Sequence, residues 1–259
     1  TCSLGDWKVN YDKLPSGIDG MAEKINKIGM KFGLWFEPEM ISPDSDLYRE
    51  HPDWAIHIDE REGVQSRNQM VLDLSRDEVC EYVINAVSDI LANANIEYVK
   101  WDMNRQLTDM PRLGYNHEYT LGYYKIMSAI TEKFPNILFE GCSAGGGRFD
   151  AGVLAYMPQI WTSDNSDAIA RLKMQYSTSM CYPVYSISSH VTASPNHQCG
   201  RVTSLKTRAD VAYCGTFGYE LDVTKMSDEE FEEIKAQIEF EKRIQDLMCD
   251  GDLYRLINP

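Results

Sequence analysis

The sequence has no apolar run that approaches the roughly 20 residues needed to span a bilayer. Basic residues are also scarce, because 25 Lys and Arg stand against 40 Asp and Glu, which gives a formal net charge of −15. A surface of that sign repels phosphate backbones and anionic lipids, and this argues against nucleic acid or a membrane as a partner. A neutral ligand is not disfavoured by this charge.

Motifs for metal binding and redox chemistry are absent as well. The seven cysteines include no Cys-x-x-Cys pair, and the five histidines form no His-x-x-x-His or His-Glu-x-x-His pattern. We therefore expect no metal and no cofactor. Widely spaced cysteines are typical of free thiols in a reducing compartment. Since residues 1–7 also lack the basic start and apolar core of a signal peptide, we expect a cytoplasmic protein.

The chain does contain a regular alternation of short β-like runs and helical patterns, which predicts one domain with a parallel sheet. Two segments have the form of a capping box, with Ser followed three residues later by Glu, and they predict helix starts at Ser75 and Ser227. Further helices are expected from Ser16 to about residue 28 and across 121–134. The expected strands lie at 32–37, 97–102, 137–140, 159–163, 183–188 and 216–221.

Six strands do not close a barrel, which requires eight. Either two units are missing from the N-terminal end, or the sheet is open and doubly wound. We favour an α/β fold of the (β/α)₈ TIM barrel type that lacks its first two strands in this chain. Polar residues follow the predicted strand ends, and in a barrel that face carries the active site. Asp102 would then lie at the end of the fourth barrel strand.

Each of four predicted strand ends passes into a carboxylate or a glycine-rich turn, at 35–40, 100–105, 140–148 and 161–165. Two carboxylates on different strands of a barrel can face one bond at its mouth. Glycoside cleavage needs this arrangement, with one carboxylate to attack the anomeric carbon and one acid to protonate the leaving oxygen. The alternative is that these carboxylates are structural and form ion pairs with basic residues in the same motifs.

With these motifs the sequence resembles the bacterial α-galactosidases of glycoside hydrolase family thirty-six, over nearly its whole length. The most specific segments are 33–40, 99–105, 139–150 and 160–167. The resemblance implies a retaining glycoside hydrolase that acts by double displacement. Such an enzyme releases terminal α-linked galactose from melibiose and raffinose-type oligosaccharides.

The resemblance also implies roles for individual residues. Asp102 corresponds to the nucleophile and Asp164 to the general acid/base, whereas we expect Asp167 to lie in the first turn of the next helix with a structural role. Lys100 lies two residues before Asp102, hence on the same strand face, and its charge would favour an ionised nucleophile. The galactose contacts of the family fall on Trp35, Arg67, Lys100, Asn104, Cys142 and Gly145.

The sequence departs from the family pattern in two ways. Ala144 occupies the first of four positions that are usually glycine. In addition, the N-terminal β-sandwich, the first two barrel units with an Asp-Asp pair, and the C-terminal β domain have no counterpart in 1–259. We therefore expect a partial catalytic barrel domain from a longer enzyme, which the resemblance implies to be a homotetramer.

Three alternatives remain at this stage. The protein could transfer galactose rather than release it, or act on α-N-acetylgalactosaminides with a related fold. It could also be a non-catalytic sugar-binding fragment.

Overall fold

The computed structural model describes residues 2–61 and 63–259. The strands are β1 (Gly33–Phe36), β2 (Met40–Ile41), β3 (Met70–Val71), β4 (Tyr98–Trp101), β5 (Leu138–Gly141), β6 (Gln159–Trp161), β7 (Ile187–Thr192) and β8 (Thr216–Glu220). The helices are α1 (Gly17–Lys27), α2 (Asp46–Glu50), α3 (Asp77–Ala92), α4 (Tyr115–Lys133), α5 (Ala151–Leu154), α6 (Ala168–Thr178), α7 (Leu205–Ala212) and α8 (Asp228–Asp250). No helix in the described part of the chain combines the length and the apolar character required to cross a bilayer.

Six of the strands form one sheet in the order β1-β4-β5-β6-β7-β8, which is also their order along the chain. The pairs β1–β4, β4–β5, β6–β7 and β7–β8 are parallel. The two short strands β2 and β3 pair separately and antiparallel. The predicted α/β class and parallel sheet are therefore confirmed.

The chain divides into two compact units, of which the first comprises residues 1–144 and 150–158. It contains β1, β4 and β5, with α3 and α4 packed against each other. Val99 and Trp101 of β4 are fully buried, as are Ile126 and Ile130 of α4. Gly122 allows α4 to approach the chain before α3, because a Cβ there would lie 1.8 Å from a backbone oxygen.

The second unit comprises residues 145–149 and 159–259 and contains β6, β7 and β8 with helices α6, α7 and α8. Its apolar cluster joins one strand to two helices, through Val191, Leu205, Ala209, Ala212 and Ile234. The α8 helix begins at the predicted capping box, where the Ser227 hydroxyl accepts from the Glu230 amide at 3.3 Å. The Glu230 carboxylate accepts from the Ser227 amide at 3.0 Å, so this prediction is confirmed.

Three predicted boundaries are wrong, and the first is the start of the helix expected across 121–134, which lies at Tyr115. The box at Ser75 does not form, because its amide and hydroxyl both donate to the Asp73 carboxylate, and α3 begins after Arg76 instead. The strand expected at 183–188 is displaced to Ile187–Thr192. Pro183 precedes a 3₁₀ turn at Val184–Ser186, and the strand pairs only from Ile187 onward.

The capping box of α8 yields a local stability prediction. In Ser227→Ala the loss of the cap should cost about 1 kcal/mol. Backbone amides in the first turn of α8 should then exchange with solvent about fivefold faster, as measured by hydrogen–deuterium exchange. Ser227→Thr is the matched control, because its hydroxyl can still accept from Glu230. Equal exchange in the wild type and both variants would contradict the assignment.

Candidate active site

Asp102 follows β4 directly and is 6% exposed. Its Oδ2 accepts from the Trp35 indole Nε1 at 3.1 Å and from the Asn104 side-chain amide at 2.6 Å. Its Oδ1 accepts from the Met103 backbone amide at 2.8 Å. Both oxygens are thus held by donors, which is the arrangement that suits a carboxylate in its ionised, acceptor-only form.

Glu37, just after β1, is a second buried carboxylate close to Asp102, at 2% exposed. Its Oε1 accepts from the Asn104 backbone amide at 2.9 Å, and its Oε2 accepts from Gln69 Nε2 at 3.2 Å. Burial raises the pKa of Glu37 above its usual value. The hydrogen bonds from Asn104 lower that pKa, the charge of Asp102 raises it further, and the charge of Arg67 lowers it.

Arg67 lies at the tip of a tight turn in which Ser66 and Gln69 exchange backbone hydrogen bonds of 3.2 and 3.0 Å. Arg67 and Asn68 have φ values of 56° and 58°, the left-handed conformation that two-residue hairpin turns require. The Arg67 side chain is exposed, whereas Gln69 is buried and binds Glu37. The turn that carries the Arg67 guanidinium is therefore attached, through Gln69 and Glu37, to the segment around Asp102.

Lys100 of β4 pairs with Glu140 of β5, with 2.9 Å between Nζ and Oε1. The two residues are register neighbours, and Glu140 is fully buried. The Tyr98 hydroxyl donates to the other Glu140 oxygen at 2.7 Å. Burial, followed by the charge of Glu140, raises the pKa of Tyr98 and keeps it a donor. This carboxylate orients the Lys100 ammonium, and for Glu140 the ion pair agrees with the structural alternative given for the strand-end carboxylates.

Cys142 lies just past β5, is 4% exposed and is not part of a disulfide. Its amide donates to the Trp101 carbonyl at 2.7 Å, and its carbonyl accepts from the Met103 amide at 3.1 Å. These bonds attach the chain after β5 to the chain around Asp102. Trp35, Arg67, Lys100, Asn104 and Cys142 thus all lie with Asp102 in the first unit.

The second unit contains the other two expected site residues, Gly145 and Asp164. Gly145 has φ of 89°, and a Cβ there would lie 2.8 Å from the Ser163 Cα, so only glycine fits against this backbone. The carbonyl of Asp164 accepts from Gln198 Nε2 at 2.6 Å. The residue is exposed and follows β6 on a short loop.

Asp167, by contrast, is 4% exposed and is the N-cap of α6. Its carboxylate accepts from the Ala170 amide at 3.0 Å and pairs with Arg201 Nε at 3.2 Å. The expected position of this aspartate at the start of the next helix is confirmed. No cluster of three or more His, Cys, Asp or Glu that could hold a metal ion occurs among the described residues.

Glu37 and Glu140 stood in the polar strand ends, but their partners could not be read from spacing. Glu37 binds Gln69, which lies 32 positions away along the chain, and Glu140 binds Lys100 across neighbouring strands. The available signal was the carboxylate that each apolar strand carries at its C-terminal end. Glu39 comes from the same strand end as Glu37, but it is fully buried and accepts hydrogen bonds from Trp101 and Tyr119.

The family model for melibiase matches residues 1–251. Alpha-galactosidase AgaA of Geobacillus stearothermophilus is 54% identical over 99% of this chain, and alpha-galactosidase Mel36A of Lactobacillus acidophilus is 50% identical over 98%. The chain spans 36% of the length of each of these relatives. A crystal structure of an AgaA variant in complex with raffinose superposes with a TM-score of 0.97 at 54% identity, covering 99% of this chain and 37% of that one.

The raised pKa of Glu37 predicts how stability depends on pH. A group whose pKa is higher in the folded state than in the unfolded state stabilises the fold at low pH, and this contribution is lost as pH rises through the folded-state value. The difference between the melting temperature of Glu37→Gln and that of the wild type should therefore shift in favour of the variant as pH rises from about 4 to 8. A constant difference, or one that changes in the opposite direction, would contradict the assignment.

Proposed function

The chain belongs to the melibiase family, and from this premise we propose that the protein hydrolyses terminal α-galactosides with retention of configuration. The observation that carries the proposal is the carboxylate of Asp102, held by three donors at the end of a parallel strand. The similarity to AgaA, a variant of which was solved with raffinose, favours raffinose-type oligosaccharides as substrates.

In the proposed first step an oxygen of Asp102 attacks the anomeric carbon, and a covalent galactosyl ester forms as the bond to the leaving oxygen breaks. Asp164 gives its proton to that oxygen. In the second step Asp164 takes a proton from water, the water oxygen attacks the anomeric carbon, and the ester bond breaks. Two inversions release α-galactose and return both carboxyl groups to their starting states.

The remaining roles follow from the chemistry of the side chains. The Trp35 indole is 43% exposed while its Nε1 binds Asp102, so its free face can pack on the apolar face of a sugar. Arg67, Lys100 and Asn104 carry donors suited to sugar hydroxyls. Cys142 and Gly145 would contribute close van der Waals contact near the reacting carbon.

We further propose that residues 1–259 form strands three to eight of a (β/α)₈ barrel in a longer protein. The chain spans only 36% of the length of AgaA and of Mel36A, and this supports the proposal. The remaining barrel units and the flanking β domains would then lie in other parts of that protein. Tetramer formation and a cytoplasmic location stay predictions.

The roles of Asp164 and Asp167 can be separated by chemical rescue in the full-length protein. Asp164→Ala should hardly slow the first step on an aryl α-galactoside whose leaving group needs no proton, but should abolish raffinose hydrolysis. Azide, which attacks without a general base, should restore turnover and give α-galactosyl azide.

Asp167→Ala is the matched control, because it removes a nearby aspartate that caps α6. It should lower the melting temperature and show no rescue by azide. The assignment is reversed if azide rescues the Asp167 variant and leaves the Asp164 variant inactive.

A further inference from the structure

We infer that Glu37 is a positioning residue that holds the hydrogen-bond donor of the nucleophile and the turn bearing Arg67 in one fixed arrangement. The inference rests on the proposed function, since it assigns Asp102 as nucleophile and Arg67 as a sugar contact. Glu37 itself need not touch the substrate, because its two carboxylate oxygens are occupied by protein donors.

The first contact of Glu37 leads to the nucleophile. Its Oε1 accepts from the backbone amide of Asn104 at 2.9 Å, and the side chain of the same Asn104 donates to Asp102 at 2.6 Å. With its amide fixed, Asn104 can place its side chain against Asp102 Oδ2. Loss of Glu37 would leave a partly buried backbone donor unpaired and free Asn104 to move.

The second contact leads to the arginine turn. Glu37 Oε2 accepts from Gln69 Nε2 at 3.2 Å, and Gln69 closes the turn with Ser66 around Arg67. The turn carries a left-handed φ at Arg67, a conformation that residues other than Gly, Asn and Asp seldom adopt unless their surroundings impose it. The buried Gln69–Glu37 bond supplies one such anchor.

A second pair of contacts connects the same two segments, the chain that leads to the arginine turn and the chain that follows Asp102. The Val64 amide donates to Asp109 at 3.0 Å, and the Val64 carbonyl accepts from the Arg105 guanidinium. The chain before Arg67 is thus attached to the chain after Asp102 at a separate point. Glu37 differs from this pair of contacts because its own contact reaches Asn104, and through it the nucleophile.

The two contacts predict different kinetic effects, which a purely structural role would not separate. Gln69→Ala loosens only the arginine turn, so it should raise KM about threefold or more while kcat stays within about threefold. Asn104→Ala removes the donor to Asp102 and should lower kcat about tenfold or more. Glu37→Ala breaks both contacts and should change both parameters.

The decisive measurement is a double-mutant cycle on kcat with an α-galactoside and the full-length protein. If Glu37 acts on the nucleophile through Asn104, then Glu37→Ala should lower kcat by no more than about threefold once Asn104 is already alanine. Multiplicative losses in the double variant would overturn the inference. A wild type that hydrolyses no α-galactoside would instead refute the proposed function and leave the inference without its premise.

Glu37→Gln keeps the cycle falsifiable if the alanine variant does not fold. Its amide oxygen can still accept from Asn104, and its NH₂ group can donate to Gln69 Oε1 once the Gln69 side-chain amide turns over. We therefore expect this conservative variant to keep both kcat and KM within about threefold of the wild type. A kcat loss as large as that of Asn104→Ala would overturn the inference.

Glu39→Gln is the matched control, because Glu39 is equally buried two residues further along and accepts from Trp101 and Tyr119. It should lower the melting temperature, and it should not change KM without a matching change in kcat. A selective KM effect in this variant would show that any buried carboxylate in the segment has the same influence, and would overturn the specific role of Glu37.

Discussion

A carboxylate removed from water must find hydrogen-bond donors in the protein, and this constraint organises the first unit around Asp102. The donors come from β1, through Trp35, and from the chain just past β4, through Met103 and Asn104. Parallel strands bring these segments together because the carboxyl ends of neighbouring strands meet at one edge of the sheet. The same constraint recurs at Glu37, Glu39 and Glu140, each of which is buried and accepts from residues distant in sequence.

This chain of acceptors and donors explains why the strand ends are polar although the strands are apolar. The apolar side chains of β4 and α4 are buried and exclude water from the core. The carboxylates at the strand ends accept hydrogen bonds from neighbouring side chains and so fix their positions. In the proposed role of nucleophile, an oxygen of Asp102 would have to be held close to the reacting carbon, since a small displacement removes much of the benefit of proximity. Hydrogen bonds to both oxygens of Asp102, with Asn104 fixed in turn by Glu37, provide that restraint.

The sequence allowed much of this to be predicted where the signal was local. The capping box of α8 and the position of Asp167 at a helix start each depend on residues within a few positions of one another, and the parallel sheet was inferred from the alternation of short strand and helix patterns along the chain. Ser75 misled because Asp73 competes for its amide and hydroxyl, a local alternative that the spacing rule does not weigh. Strand β7 was predicted too early in the chain, because the serines at 186, 188 and 189 weaken the apolar pattern of this strand. Its pairing with the neighbouring strands begins only at Ile187. The Glu37–Gln69 and Lys100–Glu140 contacts could not be predicted, because they arise only when distant segments meet.

The most direct test of the central claim is to trap the covalent intermediate. A fluorinated galactosyl fluoride slows the second displacement more than the first, so the full-length protein should accumulate a galactosyl ester. Proteolysis and mass spectrometry should place the added sugar mass on the peptide that contains Asp102, and unlabelled substrate should prevent the labelling. A label on another carboxylate, or no stable label together with β-galactose as the first product by NMR, would contradict this account.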